Sequence, residues 1–312
     1  LLPIAIYNEL YKFLQCVDEY TASFLEQGSP LDEDGLTNIL LSALNSTEKA
    51  PRGLAYTAAQ LVEKSLSICD EEGFEQSFNF ILEHERFSKN TEGKITQADF
   101  VLDLSYTDTQ SKGEDWRAIY YIQSKKPPSF YPDKLNVAAK IPYEDGQVGR
   151  ISTLRSFIGE DGLKYAVYCR PKILTADNAA TIVAKLSAHG LNPRDWQVTE
   201  AAGIWMNDGT AETVSDMLLA TNDASFPFAQ FIAMHYLAPD IAGLRKYAPD
   251  DESPEFSYLT KLAGFDDEAI KTIWDVTKVK GKPGKRSVAK LALHIAGPGP
   301  KPILKVTGPK TR

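Results

Sequence analysis

Several things are scarce in this sequence, and each scarcity excludes something. There are only three cysteines, Cys16, Cys69 and Cys169. They lie far apart and in odd number, which gives neither a disulfide framework nor metal-ligand spacing and suits buried small side chains in a reducing compartment. No apolar run approaches the ~20 residues that a helix needs to cross a bilayer, so no membrane association is expected. No signal-peptide pattern is legible, and a cytoplasmic location is the expectation. An excess of positive charge is lacking too. Lys and Arg number 34 against 42 Asp and Glu, for a net charge of −8, which argues against coating a polyanion by bulk charge. There is no internal repeat. The Gly-Lys-Pro-Gly-Lys stretch at 281–285 lacks the four-residue gap between glycines that a Walker loop requires, so it is not a nucleotide site.

What is present is ordinary in amount and uneven in place. A hydrophobic share of 43% and a charged share of 24% describe a globular chain with material for a core, long enough for one elaborated domain or two. From Val276 to Arg312 there are ten basic residues and no acidic one, leaving 24 basic against 42 acidic in the rest. Such an end either brings a polyanion toward the acidic body or is simply a solvated tail.

Apolar spacing predicts helices over 4–26, over 36–44 after the acidic start Asp32-Glu33-Asp34, and over 54–69. Phe74 to Leu82 is an element of undecided type. A helix carrying Gln147, Arg150, Ile151, Leu154 and Ile158 is expected to end near Gly159, before a strand over 162–169 stopped by Pro171. Further helices are expected over 179–186, 213–220, 226–237, 270–274 and 288–293, with 196–205 ambiguous and a mobile tail from Gly297. His235 reads as a satisfied core histidine. Glu83-His84-Glu85-Arg86 lacks a second histidine at ligand spacing, although Glu83 or Glu85 on a strand is a weaker candidate for the site discussed next.

The chain is organised around 98–125. Ala98 to Leu104 and Ile119 to Lys125 read as two buried strands joined by a polar linker containing Gly113, an antiparallel hairpin. Side chains two apart share a face. Asp99 and Asp103 therefore project together, as do Gln123 and Lys125, while Ile122 and Ser124 point the other way. Charged groups on such strands must recover their lost hydration from each other, from hydrogen bonds or from a metal ion. Asp99 with a second carboxylate and the amide oxygen of a glutamine is a hard oxygen set suited to Mg²⁺.

Asp99 followed by Gln123-x-Lys125 at the close of the next apolar strand resembles the PD-(D/E)XK nuclease superfamily, in the D…QxK form of Mrr-like restriction endonucleases. The likeness spans roughly 31–170, with two departures: Ala98 stands where the family has proline, and Gln123 replaces the commoner glutamate. The resemblance implies an α/β fold, a restriction-endonuclease-like mixed central sheet flanked by helices. It also implies Mg²⁺- or Mn²⁺-dependent hydrolysis of nucleic acid, DNA foremost with RNA open, in restriction or anti-phage defence. Glu33, with Thr37 one turn later, resembles the family's helix-borne acid; Asp34 is the near competitor, and helix capping alone accounts for this acidic cluster as readily. Asp99, Glu33 and Gln123 would then hold the metal and Lys125 would act on the attacking water. Lys126, Gln147 and Arg150 are weaker candidates for contact with nucleic acid.

The expected organisation is an N-terminal helical segment over 1–30, a nuclease-like core over 31–175, a mainly helical extension or second domain over 176–296 and a basic tail over 297–312. Self-association or a defence-system partner protein is compatible with this. Two other classes stay open: a nuclease fold without turnover that binds DNA or docks a partner, and a structural protein in which Asp99 and Lys125 form a buried ion pair with no ligand.

Overall fold

Ile6, Leu10, Phe13, Leu14 and Val17 recur at three- and four-residue intervals, and all five are fully buried along one stripe of the first helix, α1 (Ile4–Glu26). The computed structural model describes residues 2–26, 31–45, 49–74, 78–85, 98–109, 115–128, 138–143, 145–173, 201–219, 225–236, 244–264, 266–277 and 289–298. In α2 (Glu33–Leu44) Asp32 is the N-cap and its carboxylate accepts from the Gly35 amide at 2.9 Å. The third helix, α3 (Ala58–Glu72), opens with a reciprocal Thr57–Gln60 capping box and closes on Gly73 at φ 70°.

The strands are β1 (Asn79–Glu85), β2 (Phe100–Asp108), β3 (Trp116–Lys125), β4 (Leu163–Ile173), β5 (Ala201–Asn207), β6 (Ser225–Pro227) and β7 (Ala289–Gly297). The remaining helices are α4 (Asp145–Ile158), α5 (Val214–Leu219), α6 (Phe228–His235), α7 (Pro254–Ala263) and α8 (Asp267–Thr277). The strands form one seven-stranded mixed sheet in the order β1-β7-β2-β3-β4-β5-β6. β7 runs parallel to β2, β3 parallel to β4, and the other neighbours are antiparallel. Helices cover both faces. The Tyr120 hydroxyl meets His235 of α6 whereas that of the adjacent Tyr121 donates to the Leu259 carbonyl of α7, and consecutive strand residues point to opposite sides. No helix is long and apolar enough to cross a membrane among the described residues.

The expected hairpin is present as β2 and β3, with Phe100 opposite Ile122 and Tyr106 opposite Trp116. Three expectations need correction. The helix expected over 288–293 is instead strand β7, seated between β1 and β2. The stretch beyond 176 is not a helical extension apart from the sheet: helices outweigh strands in its described residues, but β5, β6 and β7 all join the one sheet. And β4 does not stop at Pro171: it continues to Ile173 through a register irregularity between Tyr168 and Lys172, the kind of place where a sheet tolerates proline. The helix expected over 179–186 and the Gly-Lys-Pro-Gly-Lys stretch at 281–285 lie outside the described residues, as does the expected tail beyond Pro298; Gly297, where that tail is expected to begin, closes β7.

That irregularity has a partner on α1. Gly203 and Ile204 of β5 lie against it, and their amides both donate to Oδ1 of Asp18 at 3.0 Å. A Cβ on Gly203 would fall 2.2 Å from that of Ala22, so only glycine lets helix and strand approach this closely. Asp18 is 3% exposed, and burial pushes its carboxyl up to about 8 against the opposing pull of the two amides.

A group with a raised folded-state pKa lends stability that is complete below the ordinary carboxylate range and disappears as pH rises through the folded value. Thermal melts of the wild type should therefore lose ground to Asp18→Asn as pH climbs between roughly 4 and 8, with the gap constant above that. Asp18→Ala, which leaves two buried amides unmatched, should lower stability by about 1–3 kcal/mol below about pH 4, and that deficit should shrink as pH climbs toward about 8.

Candidate active site

The acidic start of α2 and the hairpin meet at one end of the sheet. Glu33, the first residue of α2, accepts the backbone amide of Lys126 on Oε1 at 2.8 Å, and the Lys126 ammonium donates to the Leu31 carbonyl at 2.6 Å. The helix tip is thereby tied from both sides to the residue that follows β3. Asp99 stands just ahead of β2. Its own amide donates to the Ile122 carbonyl at 2.8 Å, and its carboxylate Oδ2 takes the amide of Ser124. Asp99 thus lies against the end of β3 through Ile122 and Ser124, one residue before the paired ladder begins at Phe100.

Gln123 and Lys125 are 5% and 3% exposed at the end of β3. Ser124, between them, turns the other way, as alternation requires. Its hydroxyl pairs with that of Thr37 at 2.8 Å, and Thr37 in turn with the Tyr168 hydroxyl at 2.9 Å.

The electrostatics show that these groups share one neighbourhood. Burial raises the Glu33 carboxyl above its ordinary value; the Lys126 amide and the positive charge of Lys125 pull it down, and the negative charges of Asp99 and Asp34 push it up again. Burial first, and then Asp99 and Glu33, hold the Tyr168 phenol above its usual range. Glu33 thus feels both Asp99 and Lys125, and Asp99 is tied to β3 through the Ser124 amide. Asp34 contributes charge, but it is Glu33 that the Lys126 amide grips.

Comparison with protein-family models, curated proteins and solved structures finds no match.

Among the described residues no cluster of three or more His, Cys, Asp or Glu is placed to hold a metal ion. The oxygen set here is smaller in charge: two carboxylates and one amide. That is still a hard donor set of the type Mg²⁺ accepts while keeping part of its water. The raised Glu33 carboxyl is compatible with that reading: burial raises it first and the charge of Asp99 adds to it, and a cation relieves both.

Of the weaker candidates, Lys126 has its ammonium engaged at the α2 entrance, which gives it a structural task. Gln147 and Arg150 lie on α4, but their side chains are outside the described residues, as are those of Glu83 and Glu85 on β1. His235 is fully buried, its Nδ1–H donating to the Phe231 carbonyl and its Nε2 accepting from Tyr120, both at 2.8 Å. Burial pushes its pKa down to about 3, so it stays neutral and belongs to the core.

The sequence reading missed what happens at Asp103. It is fully buried and gripped by Arg117 through Nε at 2.8 Å and Nη2 at 2.7 Å, with the Lys290 ammonium 2.9 Å away. Burial pushes this carboxyl up, but the guanidinium and ammonium outweigh it and hold it below the ordinary range. Register reveals one partner, since Arg117 sits opposite Ser105 two residues from Asp103 on the same face. Lys290 was hidden by the helical assignment of 288–293.

A depressed folded-state pKa lends stability that is present above the ordinary carboxylate value and vanishes as pH falls through the depressed one. Arg117→Met should cost about 1–3 kcal/mol at neutral pH by urea unfolding. It should also blunt the acid-side loss that the wild type shows below about pH 4.

Proposed function

We propose that the chain is a metal-dependent phosphodiesterase acting on nucleic acid, with Glu33, Asp99, Gln123 and Lys125 as its working residues. The observation that carries this reading is that two carboxylates, one from a helix tip and one from the start of a strand, share a single electrostatic neighbourhood with a buried lysine. The resemblance of Asp99…Gln123-x-Lys125 to the D…QxK pattern supports the same chemistry, with a restriction-endonuclease-like fold, a DNA substrate and a restriction or anti-phage role as its corollaries.

Glu33, Asp99 and Gln123 would hold Mg²⁺ through oxygen. When bound, the ion supplies Lewis-acid polarisation of a phosphoryl oxygen and lowers the pKa of a coordinated water. The protein's own groups do the rest. The Ser124 and Lys126 amides fix one oxygen each of Asp99 and Glu33, so neither carboxylate has to reorganise during the reaction. Lys125 orients the attacking water and offsets the negative charge that grows on the phosphorus oxygens, an electrostatic contribution that is largest where water is excluded. Its 3% exposure places it in such an environment.

One observation favours a second reading, a nuclease fold that binds without cutting. Gln123 stands where a third carboxylate would complete the charge of the site, so the described residues offer two acids in place of three.

Plasmid DNA and a single-stranded RNA, each incubated with the full chain in Mg²⁺, Mn²⁺ or EDTA, separate the readings. Cleavage that EDTA abolishes is the expected result; retention of the nucleic acid without cleavage would establish the second reading. Asp99→Ala and Lys125→Met, the latter keeping the buried stem, should each reduce cleavage by about a hundredfold or more, with melting curves showing a folded protein. Full activity in Lys125→Met would overturn the assignment.

A further inference from the structure

Three hydroxyls lie directly behind the carboxylates, one from each of three elements. Thr37 belongs to α2, one turn beyond Glu33; Ser124 belongs to β3, and its amide holds Asp99; Tyr168 belongs to β4. They are 5%, 1% and 2% exposed. Thr37 Oγ1 is 2.8 Å from Ser124 Oγ and 2.9 Å from the Tyr168 hydroxyl, so Thr37 joins the three into one hydrogen-bonded chain.

Apolar side chains would pack this interior junction without any requirement for matched donors. Three hydroxyls linked through Thr37, by contrast, accept only one relative placement of helix and strands, because a shift of either leaves a buried hydroxyl unmatched. The hydroxyl chain shares two residues with the segments that carry the acids. Thr37 sits four residues from Glu33 on the same face of α2, and the Ser124 residue that supplies one of the hydroxyls supplies the amide for Asp99.

We infer that Thr37, Ser124 and Tyr168 are positioning residues that lock α2 onto β3 and so hold the Glu33 carboxylate in one place beside Asp99, ready for a divalent cation. This rests on the metal-dependent reading above for the role of the cation, and on the hydrogen-bond geometry alone for the lock. None of the three touches substrate. They act through Glu33 and Asp99, as the outer hydrogen-bonding shell of a metal site does when it fixes its ligands.

The test uses the full chain with Thr37→Val, Thr37→Ser and Tyr168→Phe, the last removing a single oxygen. Two quantities are read: hydrogen exchange of the Lys126 amide in metal-free protein, and binding of Mn²⁺ followed by its electron paramagnetic resonance signal. Glu33→Ala is the control, since it exposes the Lys126 amide without touching the three hydroxyls. Thr37→Val and Tyr168→Phe should each speed exchange at Lys126 and weaken Mn²⁺ binding about tenfold, while Thr37→Ser should do neither. Should Thr37→Val fail to fold, Tyr168→Phe carries the same comparison.

Wild-type exchange at Lys126 in both Thr37→Val and Tyr168→Phe would overturn the inference, and so would faster exchange with unaltered Mn²⁺ affinity. A wild-type protein that binds no Mn²⁺, with Lys126 still released by Tyr168→Phe, would overturn the metal-dependent reading and support the lock.

Discussion

The junction between the tip of α2 and the end of β3 depends on one kind of interaction, a carboxylate oxygen accepting a backbone amide that the sheet does not use. Glu33 takes the amide of Lys126, and Asp99 takes that of Ser124. Each bond replaces hydration that the acid lost on burial, and each ties an acid to a strand whose position the ladder already sets. The candidate site is therefore an outcome of how the sheet ends. Remove those amides and the two acids would repel each other toward solvent.

Chemically identical groups meet different fates along this chain because their surroundings differ. Asp18 has two amides and no cation, so burial dominates and its proton is held to about pH 8. Asp103 is buried more deeply still, yet Arg117 and Lys290 keep it ionised. Glu33 lies between them: one amide, one lysine nearby, and other acids in competition. Of these three, only Glu33 combines partial exposure with a neighbouring acid, which is why it, and not the more thoroughly buried Asp103, belongs to the candidate site.

Much of this was legible from residue order. The hairpin could be read because both of its strands are short, apolar and separated by a polar linker, and alternation then assigned Ser124 and Gln123 to opposite sides. Glu33 could be read from the capping chemistry ahead of an apolar helix, though the choice between it and Asp34 needed the Lys126 amide. β7 could not be read. Lys290 and His294 are its polar positions, and a spacing of four satisfies the period of a strand and that of a helix alike. Pro171 misled for a similar reason: proline ends a regular ladder, but the break in register between Tyr168 and Lys172 is supplied by tertiary contacts with α1 that no local pattern encodes. The hydroxyl chain through Thr37 likewise joins it to Ser124 and Tyr168, 87 and 131 positions away.

The seating of β7 between β1 and β2 has a consequence for how the molecule is made. While the ribosome is still translating, every strand from β1 to β6 can emerge before residues 289–297 do, and the slot they will fill stays open. Until then β1 has no neighbour in the sheet and β2 presents a bare rim of amides and carbonyls, the state in which chains pair wrongly with one another. Closure joins segments some 200 positions apart, a slow step for any polypeptide. A nascent protein of this topology has reason to be shielded by a chaperone until its final strand slides home.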